Sequence, residues 1–212
     1  MGSERRSYRA LAETVHLTAV AAWLGAVMMA GVAAAVSFPT MKALEPTLGV
    51  YAVYEGEHWR LAAGHVADNV FKISELIQFL AATLTLLTFI MLVAFLKLPL
   101  RSWVSFGRAA GLGAGMLLLS YLFFVLGPRM NANLADYREA ARAGEMETAT
   151  RYQQAFNDDH PTASNVYSGL AVSTLFMLVF GVWSAAMGKT EDDTPAAGPG
   201  SGTTLQKPAL AG

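Results

Sequence analysis

Residues 73–96 read ISELIQFLAATLTLLTFIMLVAFL, an apolar run holding one acid, Glu75, and no basic residue. A helix needs roughly 20 such residues to cross about 30 Å of hydrocarbon. Three further runs match it, at about 11–38, 104–126 and 163–187. Prolines punctuate them. Pro39 and Pro128 follow the first and third runs, and Pro99 lies in the turn between the second and third. Pro161 stands just before the fourth, where a helix start tolerates its missing N–H. The sequence therefore predicts an all-α integral membrane protein, a four-transmembrane-helix bundle over 11–188. A short segment 1–10 precedes it, and the tail 189–212 is too poor in apolar residues to order itself.

Composition points the same way. The chain has 212 residues, 54% apolar and only 15% charged, where soluble domains carry about a quarter charged residues. A net charge of −1 carries no basic excess for nucleic acid. The absence of cysteine excludes disulfide frameworks, thiolate metal sites, cysteine nucleophiles and c-type haem attachment.

Cation density sets the expected orientation. Arg5, Arg6 and Arg9 crowd the N-terminus, and Lys97, Arg101 and Arg108 crowd the short second connection, which contains no acid. The first and third connections dilute their cations among many acids, although the total of Lys and Arg is similar on the two sides. Positive-inside logic then places both termini in the cytoplasm and both long connections outside. The first run is too long for the apolar core of a signal peptide and contains Glu13 and His16, so it is expected to stay as a span. Outside, 60–72 reads as a helical extension of the second span, with Asp68 and Lys72 at favourable i,i+4 spacing. The stretch 131–156 reads as one or two polar helical turns.

Helices in lipid associate through close backbone approach and polar contacts. Gly107, Gly111 and Gly115 form a smooth strip on the third span, and Ala22, Ala26, Ala30 and Ala34 form one on the first. Both are expected seams, either within the bundle or in a homodimer. Scattered methionines read as core filler.

Two polar groups are candidate sites, since an ionisable residue in a span is costly and tends to have a partner. Glu13 and His16 share a face near the cytoplasmic end, and Trp23 continues it. They read either structurally, as a mutual hydrogen bond or as a His bonded to a neighbouring helix, or as a proton or cation relay. A single haem-ligating imidazole is a further reading, but no second histidine is expected at that depth. At the outer end, His65, Asp68, Lys72 and Glu75 form one stripe, Arg129 leaves the third helix, and Asp158, Asp159, His160 and Asn165 open the fourth. The acids suit a helix N-terminus. The expected arrangement is a rim network of Lys72, Glu75, Arg129 and Asp159. The competing one is an ion or metal site using His65 and His160 with a carboxylate, which matches no tight ligand spacing. No metal or cofactor is assigned. The chain lacks GxSxG, HExxH, a P-loop and a dinucleotide-binding fingerprint, so no enzymatic activity is expected.

Several features in order resemble one family. They are Val15, His16 and Leu17; Trp23, Leu24 and Gly25; Phe38 and Pro39; then Leu126, Gly127, Pro128, Arg129 and Met130; then Phe156 and His160-Pro-Thr-Ala-Ser-Asn165. This pattern, over about 10–187, is similar to the transmembrane protein 205-like family, a four-helix membrane domain of unknown function. The resemblance matches His16, Arg129, His160 and Asn165 to the family's polar positions, and implies an integral membrane protein with no established reaction. The expected role is a non-enzymatic module for partner, lipid or self association in the lipid bilayer, by default of a bacterial inner membrane, without nucleic acid. The alternatives are a small transporter or metal-handling protein using the outer cluster, and a b-type haem electron carrier.

Overall fold

The computed structural model describes residues 2–98, 100 and 102–192; Pro99, Arg101 and the tail from 193 onward lie outside the described residues. Among the described residues the chain is helical with no strand. The helices are α1 (Gly2–Leu44), α2 (His58–Ala94), α3 (Trp103–Tyr121), α4 (Gly127–Ala143) and α5 (Met146–Asp192). A π-helical turn, Leu122–Leu126, joins α3 to α4, and a short 3₁₀ turn, Gly49–Tyr51, lies between α1 and α2. Four rods result, all long and apolar enough to cross a membrane: 6–44, 58–94, 103–143 and 146–186.

The expected count of spans agrees with this architecture; four of the expected ends do not. Helix α1 runs through Pro39 to Leu44, and α5 begins at Met146, fifteen residues before Pro161. A proline inside a helix forgoes one backbone hydrogen bond; both prolines sit exposed on helices that run on past them. At Pro128 the device is visible. The π turn leads directly into Gly127 and Pro128, a wider turn of the kind that relieves a helix before a residue it cannot accommodate regularly. A side chain at Gly127 would put its Cβ 2.7 Å from the Leu122 carbonyl oxygen, so that turn requires glycine. The expected polar turns of 131–156 are instead two full helical segments. Gly144, with φ of +74°, ends α4 while Glu145 N–H bonds to Ala140 O and Gly144 N–H to Ala141 O, a Schellman closure. At its far end α5 carries the helix to Asp192, past the expected boundary at 188.

In space α1 pairs with α2 and α3 with α5, and α1 also meets α5. The seam on α1 is buried at Ala12, His16, Ala19, Trp23, Ala26 and Ala30, steps alternating between four and three. The expected strip was Ala22, Ala26, Ala30 and Ala34. Ala26 and Ala30 hold the seam, but Ala22 is exposed and Ala34 only half-buried. Four-residue steps drift around a 3.6-residue helix, so a long strip of that spacing leaves its own face. The shorter glycine strip stays on it. A Cβ at Gly111 would lie 2.9 Å from Met177 Cγ and 3.2 Å from the Ser173 carbonyl oxygen, and Gly107 faces Phe180; both are contacts with α5 inside the bundle.

The bundle has two ends. The base holds the N-terminus and the turn 95–102. At the other end α4, the first turns of α2 and α5, and the 45–57 loop form a cap with its own core of Tyr51, Tyr54, Leu61, Tyr137, Ala140, Ala141 and Ala149. Between them, only 28–39% of residues in the most apolar stretch of each rod are buried.

Gly111→Val is expected to separate α3 from α5 and cost about 1–3 kcal/mol, the usual penalty of overpacking. Gly113→Ala, where an added Cβ meets nothing within 4 Å, is expected to leave stability unchanged or raise it slightly. Thermal unfolding of the two variants in detergent checks the contrast.

Candidate functional site

At the base, Glu13 and His16 sit on α1 facing the bundle, as their spacing predicts, but they do not bond to each other. Glu13 is taken by Arg108 of α3. Arg108 Nη2 donates to Glu13 Oε2 at 2.8 Å and Nη1 to Oε1 at 3.2 Å, a fork-to-fork pair. The Arg108 side chain is fully buried and that of Glu13 is 14% exposed. Arg108 is therefore no loop cation. It lies inside α3, with its guanidinium beside Gly181 of α5, and the sequence-based orientation loses one of its charges.

His16 is 1% exposed, and its Nδ1 lies 2.9 Å from Thr88 Oγ1 of α2. The Thr88 hydroxyl hydrogen is directed to the backbone, toward Leu84 O at 2.7 Å and Thr85 O at 3.0 Å. Oγ1 thus accepts from Nδ1–H, which assigns the neutral imidazole its lone pair at Nε2. That Nε2 has no hydrogen-bond partner in the protein. Further along α2, Ser74 donates to the Ala26 carbonyl of α1 at 2.7 Å, and Gln78 donates to Ser74 Oγ at 3.1 Å.

The expected rim network forms only in part. Arg129 grips Asp159, its Nε donating at 2.8 Å and its Nη2 bonding the second oxygen. Lys72 bonds Asp68 one turn earlier, at 3.0 Å, and not Glu75, because the i,i+4 partner on the same helix face is nearer at hand. Asp68 also receives Arg138 of α4 at 2.9 Å, while Arg138 donates to Gly64 O at 3.1 Å. Glu75 is half-buried, near Tyr167 of α5. Asp158 and Asp159 cap nothing, since α5 begins a dozen residues earlier.

The histidines of the cap serve the loop. His58 accepts from Leu48 N–H at 2.9 Å and donates through Nε2 to Tyr54 O at 2.8 Å, stapling the 45–57 loop to α2. His65 Nε2 lies 2.8 Å from the Tyr51 hydroxyl. His160 and Asn165 are both exposed on α5, His160 against Phe156. His65 and His160 are thus engaged separately, and among the described residues no group of three or more His, Asp or Glu converges to hold a metal.

The sequence reading missed Arg108, Arg138, Thr85, Thr88, Ser74 and Gln78. One signal was available: Arg108 is the single Lys or Arg inside any of the four apolar runs, and Glu13 is an acid in need of a partner.

Glu13→Ala and Arg108→Ala are each expected to cost about 3–5 kcal/mol, since either leaves a buried charge unpaired. The double replacement Glu13→Leu with Arg108→Met is expected to cost less than either single change. Glu57→Ala, which removes a half-exposed pair with Arg60, should stay within about 1 kcal/mol. Dodecyl sulfate unfolding titrations of the purified variants measure all four.

Comparison with protein-family models, with curated proteins and with solved structures finds no match to this chain.

Proposed function

We propose that this chain is a multi-pass integral membrane protein, crossing the bilayer four times with both ends cytoplasmic, and that it works as a non-enzymatic helix bundle associating with lipid and other membrane helices. One observation carries the reading: burial is inverted. Ile73, Leu76, Phe79, Leu80, Leu87 and Ile90 of α2 are exposed, as are Phe106, Leu117 and Phe124 of the third rod and Val172, Leu175 and Phe176 of α5. Arg108, Gln78, Thr85 and His16 are buried. Water would leave that collar without cover, whereas hydrocarbon suits it, and lipid forbids an unpaired charge such as Arg108 would be without Glu13.

Two details support the placement. Trp103 and Trp183 stack edge to face at 5.4 Å and are exposed at the base, where an interfacial aromatic belt belongs. The cap, with its polar helices and histidine-stapled loop, is built for water. With Arg108 counted as interior, the cytoplasmic assignment of the base rests on Arg5, Arg6, Arg9, Lys97 and Arg101. The resemblance to the transmembrane protein 205-like family belongs to the same reading.

The natural absence of cysteine makes the test direct. Membranes from an expressing host should retain the chain through a carbonate wash. Single cysteines at Thr47→Cys and Thr150→Cys should react with an impermeant maleimide in intact cells, and Ser102→Cys only after lysis. Release by carbonate would end the membrane reading; the opposite labelling pattern would reverse the orientation.

A further inference from the structure

The inner face of α2 is unlike that of the other rods. Below the cap, its buried residues are Ser74, Gln78, Ala81, Ala82, Thr85 and Thr88, and no large apolar side chain joins them until Leu92. Ile73, Leu76, Phe79, Leu80, Leu84, Leu87 and Ile90 point outward instead, while Leu86 and Phe89 pack half-buried at the edge of the core. An interior face made of hydroxyls, an amide and alanines contributes little apolar packing. It also leaves polar atoms that hydrocarbon cannot satisfy.

Those atoms are identifiable. Among the described residues, six buried side-chain polar atoms have no hydrogen-bond partner in the protein: Arg138 Nε, Gln78 Oε1, Trp23 Nε1, Thr85 Oγ1, His16 Nε2 and Arg108 Nε. Gln78 Oε1 and Thr85 Oγ1 lie on this face, and His16 Nε2 and Arg138 Nε belong to side chains bonded to α2, whereas Trp23 and Arg108 lie against α3 and α5 at Gly115 and Gly181. Arg138 is bonded to α2 at Asp68 and Gly64, Trp23 packs with Ala81 and Ala82, and His16 is bonded to Thr88. Arg108 is paired to Glu13, one turn from His16. From Glu75 to Thr88 the helix rises about 20 Å at 1.5 Å per residue, most of the thickness of the hydrocarbon core. An acid stands near each end: Glu75, close to Asp68, Lys72 and Tyr167, and Glu13, partly exposed at the base.

Buried polar atoms of this kind are ordinarily satisfied by internal water, which bridges two to four partners. We propose that the α2 face holds a file of water molecules from Glu75 to Glu13 and that this file conducts protons across the bundle. The step balances simply. A proton leaves the Glu75 carboxyl as its O–H bond breaks, each water in turn gains one O–H bond and gives up another, and Glu13 or the His16 Nε2 lone pair receives the last. The net charge moved is one, and no oxidant or reductant takes part. Gln78 and Thr85 hold the file at mid-depth, where Ala81 and Ala82 leave the face small. A metal cation would need several ligands at once, and among the described residues no group of three or more His, Asp or Glu converges to supply them, whereas a proton moves by exchange of bonds and needs no coordination shell.

The inference rests on the membrane reading above, and one preparation separates the two. The full chain is reconstituted into phosphatidylcholine–phosphatidylglycerol vesicles containing pyranine, and the vesicles are floated on a density gradient. An acid jump is then applied with valinomycin and potassium present to compensate charge. Wild-type vesicles should dissipate the pH gradient about tenfold faster than protein-free ones, and Gln78→Leu or Thr85→Val should each remove about tenfold, the factor that ~1.4 kcal/mol of added barrier gives. Ser168→Ala, on the exposed face of α5, should leave the rate unchanged. Protein that floats with the vesicles but conducts no faster than bare lipid overturns the proton path and leaves the membrane reading standing. Wild-type rates retained in both α2 variants place any flux elsewhere and overturn it equally, as does collapse of a sodium gradient at the same rate. Protein that fails to float removes the membrane reading and the path together.

Discussion

A guanidinium with no exposed surface must be neutralised from within, and much of the base of this bundle follows from that requirement. Arg108 leaves α3 and reaches Glu13 on α1, which fixes the depth of one rod against another. Close approach is needed for the pair to meet, and small residues supply it. Gly111 and Gly115 lie against Met177, Ser173 and Trp23, while Gly181 admits both Leu17 and the guanidinium. Removing the charge would not simply delete an interaction; it would strand its partner in a medium that cannot solvate it.

The cap obeys different rules. Its core is aromatic and alanine-rich, its loop is held by two histidines that spend their ring nitrogens on backbone and phenol, and its ion pairs, Arg129 with Asp159 and Asp68 with Lys72, are partly exposed. On the membrane reading, one chain thus carries two solvents' worth of chemistry on continuous helices, with polar groups turned inward along the collar and outward above it.

The four apolar runs were legible as helices because each is far too long and too uniformly apolar for a buried strand, as 73–96 illustrates. Helix ends were not. Pro39, Pro128 and Pro161 are strong local stop signals, yet the helices run on past them, at Pro128 through a π turn. Glu13 and His16 share a face, and His16 bonds a neighbouring helix, one of the two structural arrangements their spacing allowed; Thr88 and Arg108 could not be named as the partners, because sequence spacing reveals a shared face but not what lies across from it. Arg108 was misassigned for a related reason: five residues into a helix, a cation resembles a positive-inside marker until the acid opposite is located. The inner face of α2 was hidden by composition, since Thr and Gln scattered in a leucine-rich run do not disclose that Gln78, Thr85 and Thr88 turn inward while Thr83 turns out.

The rods are much longer than a bilayer is thick. Helix α4 alone has 17 residues, about 26 Å at 1.5 Å per residue. It continues the axis of α3 through a turn that keeps its hydrogen bonding, as Gly127 N–H to Leu122 O attests. On the membrane reading, the loop at Gly144 and Glu145 is a masthead held well above the phosphates on a stiff spar, and whatever meets that tip does so at a fixed standoff from the lipid surface.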